Sequence, residues 1–327
     1  MASCYIAAGL LDRATPLREH AVQLSEAMHG TGATSTYVHK IGLADCYRQS
    51  GRLAEALTIL EDVLAGLTRL HGASHPHTMT CLYNLALCHC DAHRFDKAEP
   101  LLDRVLRWRR ANLGLGHPMT LLCINLLATN YLLTGRVREA IALYEEGYPA
   151  ARKRSDAFRF RTGMIDAYFL AGMPTEADTV ADELLLDARA FGAADDLQLA
   201  GVLAAVGLAH LRGGRHAKAE AVLRECLALR EKKQPDAWLT LNTKSMLGGA
   251  LLGQKKYTEA EPLLLKGYNG LRQREKTIPP QGLVRLPEAL DRLVEFSAAT
   301  DRPDDVKKWR AERAKYPEAA PMPREKK

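Results

Sequence analysis

Cys81, Cys88, Cys90 and His93 are the one cluster in the chain with the side chains of a metal site. Zinc is usually held by two short chelating pairs that close a tetrahedron. Here the four lie on or just after a single helical stretch. At about 100° per residue, Cys81 and Cys88 share a face while Cys88 and Cys90 point about 200° apart. The cysteines are therefore expected as packing residues, since free cysteine behaves as a small hydrophobe. His75 and His117 each precede a proline in equivalent places and are expected at helix entries, not as general bases. His89 and His210 fall on packed positions. The chain has no phosphate-cradling glycine loop, Gly-x-Ser-x-Gly elbow or His-Glu-x-x-His helix, and it lacks His-Arg-Asp and Asp-Phe-Gly. No catalytic residue, metal or cofactor is expected, and the chain reads as a non-enzyme.

Bulk properties agree. The 327 residues carry a net charge of +6, from 45 basic and 39 acidic side chains, which is mild for this length and no polyanion-binding footprint. Arg104, Arg107, Arg109 and Arg110 beside Trp108 could stack on nucleobases, but a solvated outer helix face with aliphatic stems on apolar surface is the expected reading. Seven cysteines without framework spacing point to a reducing compartment. No run approaches the ~18 apolar residues of a membrane span, so a soluble, cytoplasmic protein is expected.

The elements that position these residues follow from a repeat. Ala14, Ala56, Ala98, Ala140, Ala177, Ala219, Ala260 and Val306 recur at intervals of 42, 42, 42, 37, 42, 41 and 46 residues. Five positions earlier stand Gly9, Gly51, His93, Gly135, Gly172, Gly214, Lys255 and Asp301. A period of this size means helical hairpins that stack on their neighbours. The expected fold is all-α, a right-handed superhelical solenoid of about eight helix-turn-helix repeats over residues 1–315. The first is truncated, with only Met1–Ala8 of its leading helix, as in a fragment of a longer protein. Tyr316–Lys327 is expected as a disordered tail.

Within a unit, His75-Pro76 opens the first helix because proline suits the first helical position. Leu82, Leu85, Ala86 and His89 form its buried face. Ala98, Leu102 and Val105 form that of the second helix, and Gly114 ends the unit. Pairs such as Leu43-Ala44, Leu85-Ala86 and Leu127-Ala128 let the two helices approach closely. Pro149, in the interval that is five residues short, predicts a shortened or kinked second helix.

Large-small-x-x-aromatic on one helix, followed by the alanine anchor on the next, resembles the tetratricopeptide repeat. The 42-residue period, Asn84-Leu85-Ala86 and the Gly-x-x-His-Pro-x-Thr junction are similar to the kinesin-light-chain variety. Asn242-Thr243-Lys244-Ser245 and Glu261-Pro262-Leu263-Leu264 also resemble C-terminal regions of some bacterial serine/threonine kinases. That likeness implies a regulatory arm of such a kinase, or association with one, as the alternative function.

The first resemblance implies a protein-interaction scaffold whose concave groove, lined by first helices, holds an extended peptide or helix of a partner. Inward slots three before and one after the small residue give Ile41, Asp45, Tyr83, Leu87, Asn125, Thr129, Thr162, Asp166 and Ser245. Neighbouring slots give Arg48, Asn84, Arg159 and Asn242. Chaperone-binding relatives hold a terminal carboxylate with Lys and Asn side chains. Here those slots carry Ile41, Asp45, Asn84, Leu122 and Leu126, so that clamp is not expected. No nucleic acid is expected either, since the groove lacks a regular polar code.

Overall fold

Each hairpin is entered through a junction whose residue types are individually explained. The computed structural model describes residues 11–152, 158–191, 196–279 and 282–316. At Gly72 the backbone takes φ 86° and ψ 167°, a conformation essentially confined to glycine. Its carbonyl accepts from Thr78 Oγ1 at 3.0 Å. His75 is the N-cap, its Nδ1 accepting from the His77 amide at 3.2 Å, and Pro76 takes the first helical position. Gly114, His117, Pro118 and Thr120 repeat this, with bonds of 2.8 Å from Thr120 Oγ1 to Gly114 O and 3.2 Å from the Met119 amide to His117. Helix entry is thus the role of His75 and His117.

The turn inside each hairpin has its own rule. The slot five before the anchor has positive φ in all seven described repeats: Gly51, Gly135, Gly172 and Gly214, and also His93 at 55°, Lys255 at 62° and Asp301 at 55°. The next amide then reaches back to the large residue of the first helix. Arg52 N bonds Tyr47 O at 2.8 Å, Arg94 N bonds His89 O at 2.8 Å and Lys256 N bonds Leu251 O at 3.0 Å. This closure of a helix end by a left-handed residue satisfies carbonyls that would otherwise be orphaned.

The described residues form fifteen α-helices, and within each compact unit every helix packs on the next, as in a tetratricopeptide solenoid of about seven to eight repeats. Two compact units, Met1–Thr134 and Gly135–Lys327, divide the chain. The first contains α1 (Leu11–His29), α2 (Thr34–Gln49), α3 (Leu53–His71), α4 (Pro76–Asp91), α5 (Phe95–Leu113) and α6 (Pro118–Leu133). Helices α2, α4 and α6 also touch one another, forming an inner row. Leu43, Ala44, Ala56, Leu60, Val63, Leu67, Cys81 and Leu85 belong to one buried cluster. The anchors Ala56 and Ala98 are fully buried. Tyr37 lies so close over Gly66 that a Cβ there would not fit.

Arg109 departs from the expected solvated face. It is buried, donates from Nη1 to Met119 O at 2.6 Å, and lies 4.4 Å over the Tyr83 ring. Its position, one face round from exposed Arg107, turns it toward α6 rather than solvent. Arg104 is outward, giving Nη2 to Ala73 O at 2.6 Å.

The second unit contains α7 (Val137–Ala151), α8 (Phe158–Leu170), α9 (Pro174–Phe191), α10 (Asp196–Arg212), α11 (His216–Lys233), α12 (Trp238–Gly253), α13 (Tyr257–Gln273), α14 (Arg285–Ala299) and α15 (Pro303–Arg313). Helix α7 has 15 residues against 19 in α3 and α5, with Pro149 in its last turn. The expected shortening is present. Inner helices α8, α10, α12 and α14 form a row by mutual contact. Between α12 and α13 the backbones nearly touch: a Cβ on Gly267 would stand 2.7 Å from Ser245 N. Trp309 of α15 packs edge-on to Tyr268, ring centroids 5.6 Å apart, and Tyr316 is partly buried on the same cluster. Met1–Ala8 and 317–327, the subjects of the truncation expectation and of the tail expectation apart from Tyr316, lie outside the described residues.

Candidate functional site

The inner row of the first unit is half-buried and mixed in character. Arg48 of α2 bridges two helices, pairing with Asp45 at 2.8 Å and with Asp91 of α4 at 2.7 Å. Gln49 Nε2 adds a 2.8 Å bond to Asp45. Burial works to lower the Arg48 pKa, but the two carboxylates outweigh it and hold it above the usual value. Tyr83, beneath Arg109, and Leu87 are half-buried on α4. Asn84 Nδ2 donates to Thr80 O at 2.9 Å. On α6, Thr129 Oγ1 donates to Asn125 O at 2.8 Å, and both residues are half-buried.

Two large apolar side chains stand open here. Val38 of α2 is 43% exposed and Leu122 of α6 is 45% exposed, which matters because both occupy one register slot, six before Ala44 and Ala128. Thr80 fills that slot on α4. Ile41, in contrast, is buried within the core cluster and offers a ligand little surface.

The inner row of the second unit is ionic. Arg159 is exposed, and Thr162 Oγ1 donates to its carbonyl at 3.0 Å. Asp166 of α8 lies 3.5 Å from Arg212 of α10, which reaches Glu288 of α14 at 3.3 Å. Glu288 also pairs with Arg285 at 2.7 Å and with Arg292 at 3.7 Å. Arg292 Nη1 donates to Ser245 Oγ of α12 at 3.1 Å. Its stem crosses Gly249, where a Cβ would stand 2.9 Å from Arg292 Cδ. Ser245 and Asn242 are buried packing residues on α12. Asn242 Nδ2 meets Met246 Sδ at 3.9 Å.

Electrostatics in this row are strained by desolvation, which disfavours every charge. Burial pushes Asp166 up despite Arg212 and Arg285. It would do the same to Glu288, but Arg285, Arg292 and Arg212 together hold that carboxyl below the usual range. Burial lowers Arg292 in spite of Glu288.

Of these residues, the slot register singled out Asp166 and Ser245 but missed Arg212, Arg285, Glu288 and Arg292. A signal existed. Arg285, Glu288 and Arg292 share one face of a helix at i, i+3 and i+7.

Elsewhere, Cys81 and Cys88 are buried, with Cys81 Sγ 3.3 Å from Leu60 O, and Cys123 repeats the contact with Leu102 O at 3.7 Å. Burial pushes Cys81, Cys88, Cys90 and Cys123 up to about 12. Among the described residues no group of three or more His, Cys, Asp or Glu could hold a metal. No described helix is long and apolar enough to cross a membrane.

Comparison with known proteins fits this geometry. Tetratricopeptide-repeat profiles match residues 34–102 and 78–153, and a further one matches 200–233. The chain carries tetratricopeptide repeats over these residues. No curated protein matches it by sequence. Among solved structures, kinesin light chain nearly identical TPR-like repeats from Podospora anserina are 22% identical, with TM-score 0.52, covering 60% of this chain and 95% of that one. A Rap protein complexed with Competence and Sporulation Factor is 15% identical, with TM-score 0.58, covering 96% of this chain and 74% of that one. The apo quorum sensor NprR from B. thuringiensis is 14% identical, with TM-score 0.52, covering 96% of each. These likenesses establish the fold.

Proposed function

We propose that this chain is a non-enzymatic interaction module whose inner helices hold an extended segment of a partner polypeptide. The observation that carries this reading is the inner row of the first unit. Open Val38 and Leu122 flank the polar Asn84, Asn125 and Thr129, so apolar side chains and a peptide backbone would both find partners. Such alternation suits an extended ligand, whose backbone amides need hydrogen bonds and whose alternate side chains need pockets. Two proteins of the same fold support it, since Rap is complexed with Competence and Sporulation Factor and NprR with its cognate peptide NprX.

The test is to pan a random peptide display library against the whole chain and measure the hits by calorimetry. A variant combining Asn84→Ala, Asn125→Ala and Leu122→Glu is expected to bind them at least about tenfold more weakly. Hits that bind the variant as well as the parent would overturn the reading.

A further inference from the structure

The inner row of the second unit holds three guanidiniums against two carboxylates. Arg212, Arg285 and Arg292 face Asp166 and Glu288. Asp291, the other acid near Arg292, is paired with Arg313 at 2.8 Å, so that pair adds no net charge. The seat therefore keeps one positive charge in excess, with the Arg292 side chain 11% exposed, that of Arg285 25% and that of Arg212 42%. Burying an uncompensated charge is expensive, and a counter-charge brought by a ligand relieves that cost. Three of the existing pairs are loose, Arg212 at 3.3 and 3.5 Å and Arg292 at 3.7 Å, compared with the 2.7–2.9 Å of a good charged hydrogen bond.

We infer that Arg212, Arg285 and Arg292 form a seat for the carboxylate of an acidic side chain, aspartate or glutamate, carried by a bound polypeptide. This rests on the reading of the inner helices as a polypeptide-binding face and adds the chemistry its partner must bring. The seat is built, since Gly249 leaves the floor on which Arg292 lies and Ser245 Oγ fixes its head. Side-chain carboxylates from α8 and α14 already fit among these guanidiniums, so another of that kind meets suitable geometry.

The test uses the whole chain with 15N-labelled arginine, following the Nε–Hε signals by NMR. The probes are N-acetylglutamate N-methylamide, its glutamine counterpart, and N-acetylglutamine as the free acid. The acidic-side-chain probe is expected to shift the signals of all three arginines saturably, and the neutral one to leave them in place. Arg212→Gln and Arg285→Gln, both at partly exposed positions, are each expected to weaken the response about tenfold or more. Circular dichroism confirms that the variants fold. Absence of a saturable shift, an equal shift with the neutral probe, or a response to the terminal acid or oligo(dT) alone would overturn the seat. Peptides that bind the first unit's row while these arginines stay silent would also sink the seat, and would leave the proposed module standing. A silent library beside saturable acid binding would do the reverse.

Discussion

Arg230 reaches from α11 into the first turns of α12, giving Nη1 to Leu239 O at 2.8 Å and to Thr243 Oγ1 at 2.6 Å. Arg109 makes the equivalent reach to Met119 O. Each stands eleven residues after its anchor, Ala219 or Ala98. Both are buried, and burial lowers the pKa of each. These arginines tie one hairpin to the next through backbone carbonyls, where most repeats use an apolar residue. Arg230→Ala is expected to cost about 2–4 kcal/mol, from a lost charged hydrogen bond plus a cavity. Exposed Arg107→Ala is expected to cost at most about 0.5 kcal/mol. Urea unfolding measures both.

The left-handed turn slot gives a second prediction. Lys255 and His93 hold φ of 62° and 55°, where glycine sits in four other repeats. A side chain there costs about 1–2 kcal/mol, partly offset by the stiffer unfolded chain. Lys255→Gly is expected to raise stability by roughly 0.5–1 kcal/mol, and Gly172→Ala to lower it by a similar amount. Paired thermal melts check the opposite signs.

Close approach between α12 and α13 gives a third. A methyl on Gly267 would meet the Ser245 backbone, which cannot step aside as a side-chain tip can. Gly267→Ala is expected to destabilise by about 1–3 kcal/mol through overpacking. Gly201, with open space around it, should tolerate alanine.

The buried histidines set a pH dependence. Burial first, then nearby lysine and arginine, lowers His89, and burial outweighs Asp178 in lowering His210. His210 lies 3.6 Å from Asp178, with the Phe169 ring at 5.8 Å and Lys218 and Arg215 nearby. A histidine whose folded value is depressed favours the neutral form in the fold. Its contribution is complete above the unfolded value of about 6.5 and is lost as pH falls through the folded one. Urea midpoints should drop between pH 7.5 and 5, and His210→Phe should shrink the drop. A flat profile would contradict the assignment.

Much of this was legible in the sequence because solenoid stacking is local. The anchors, the glycine slot and the His-Pro entries each answer to contacts within one unit or its neighbour. Asp45, Arg48, Asn84 and Asn125 were placed on inner helices by the same register. Ile41 and Asn242 show its limit. Register fixes the direction a side chain leaves its helix, but whether a neighbouring helix covers it depends on packing. Ser245 is buried because Gly267 lets α13 close upon it and Arg292 lies across its exit. Arg109 obeys the same limit, leaving its helix on a face that α6 covers. The ion seat joins residues from four helices, and the i, i+3, i+7 spacing of Arg285, Glu288 and Arg292 announces only the part of it that lies on α14.

The buried thiols carry a practical consequence. Only the thiolate attacks an alkylating reagent, so Cys81, Cys88, Cys90 and Cys123, pushed up to about 12, are nearly inert at neutral pH while the helices stay together. Those four and Cys46 belong to the first unit, and Cys226 to the second. Iodoacetamide followed by peptide mass mapping would therefore clock the opening of each unit separately, with the native sequence as its own probe.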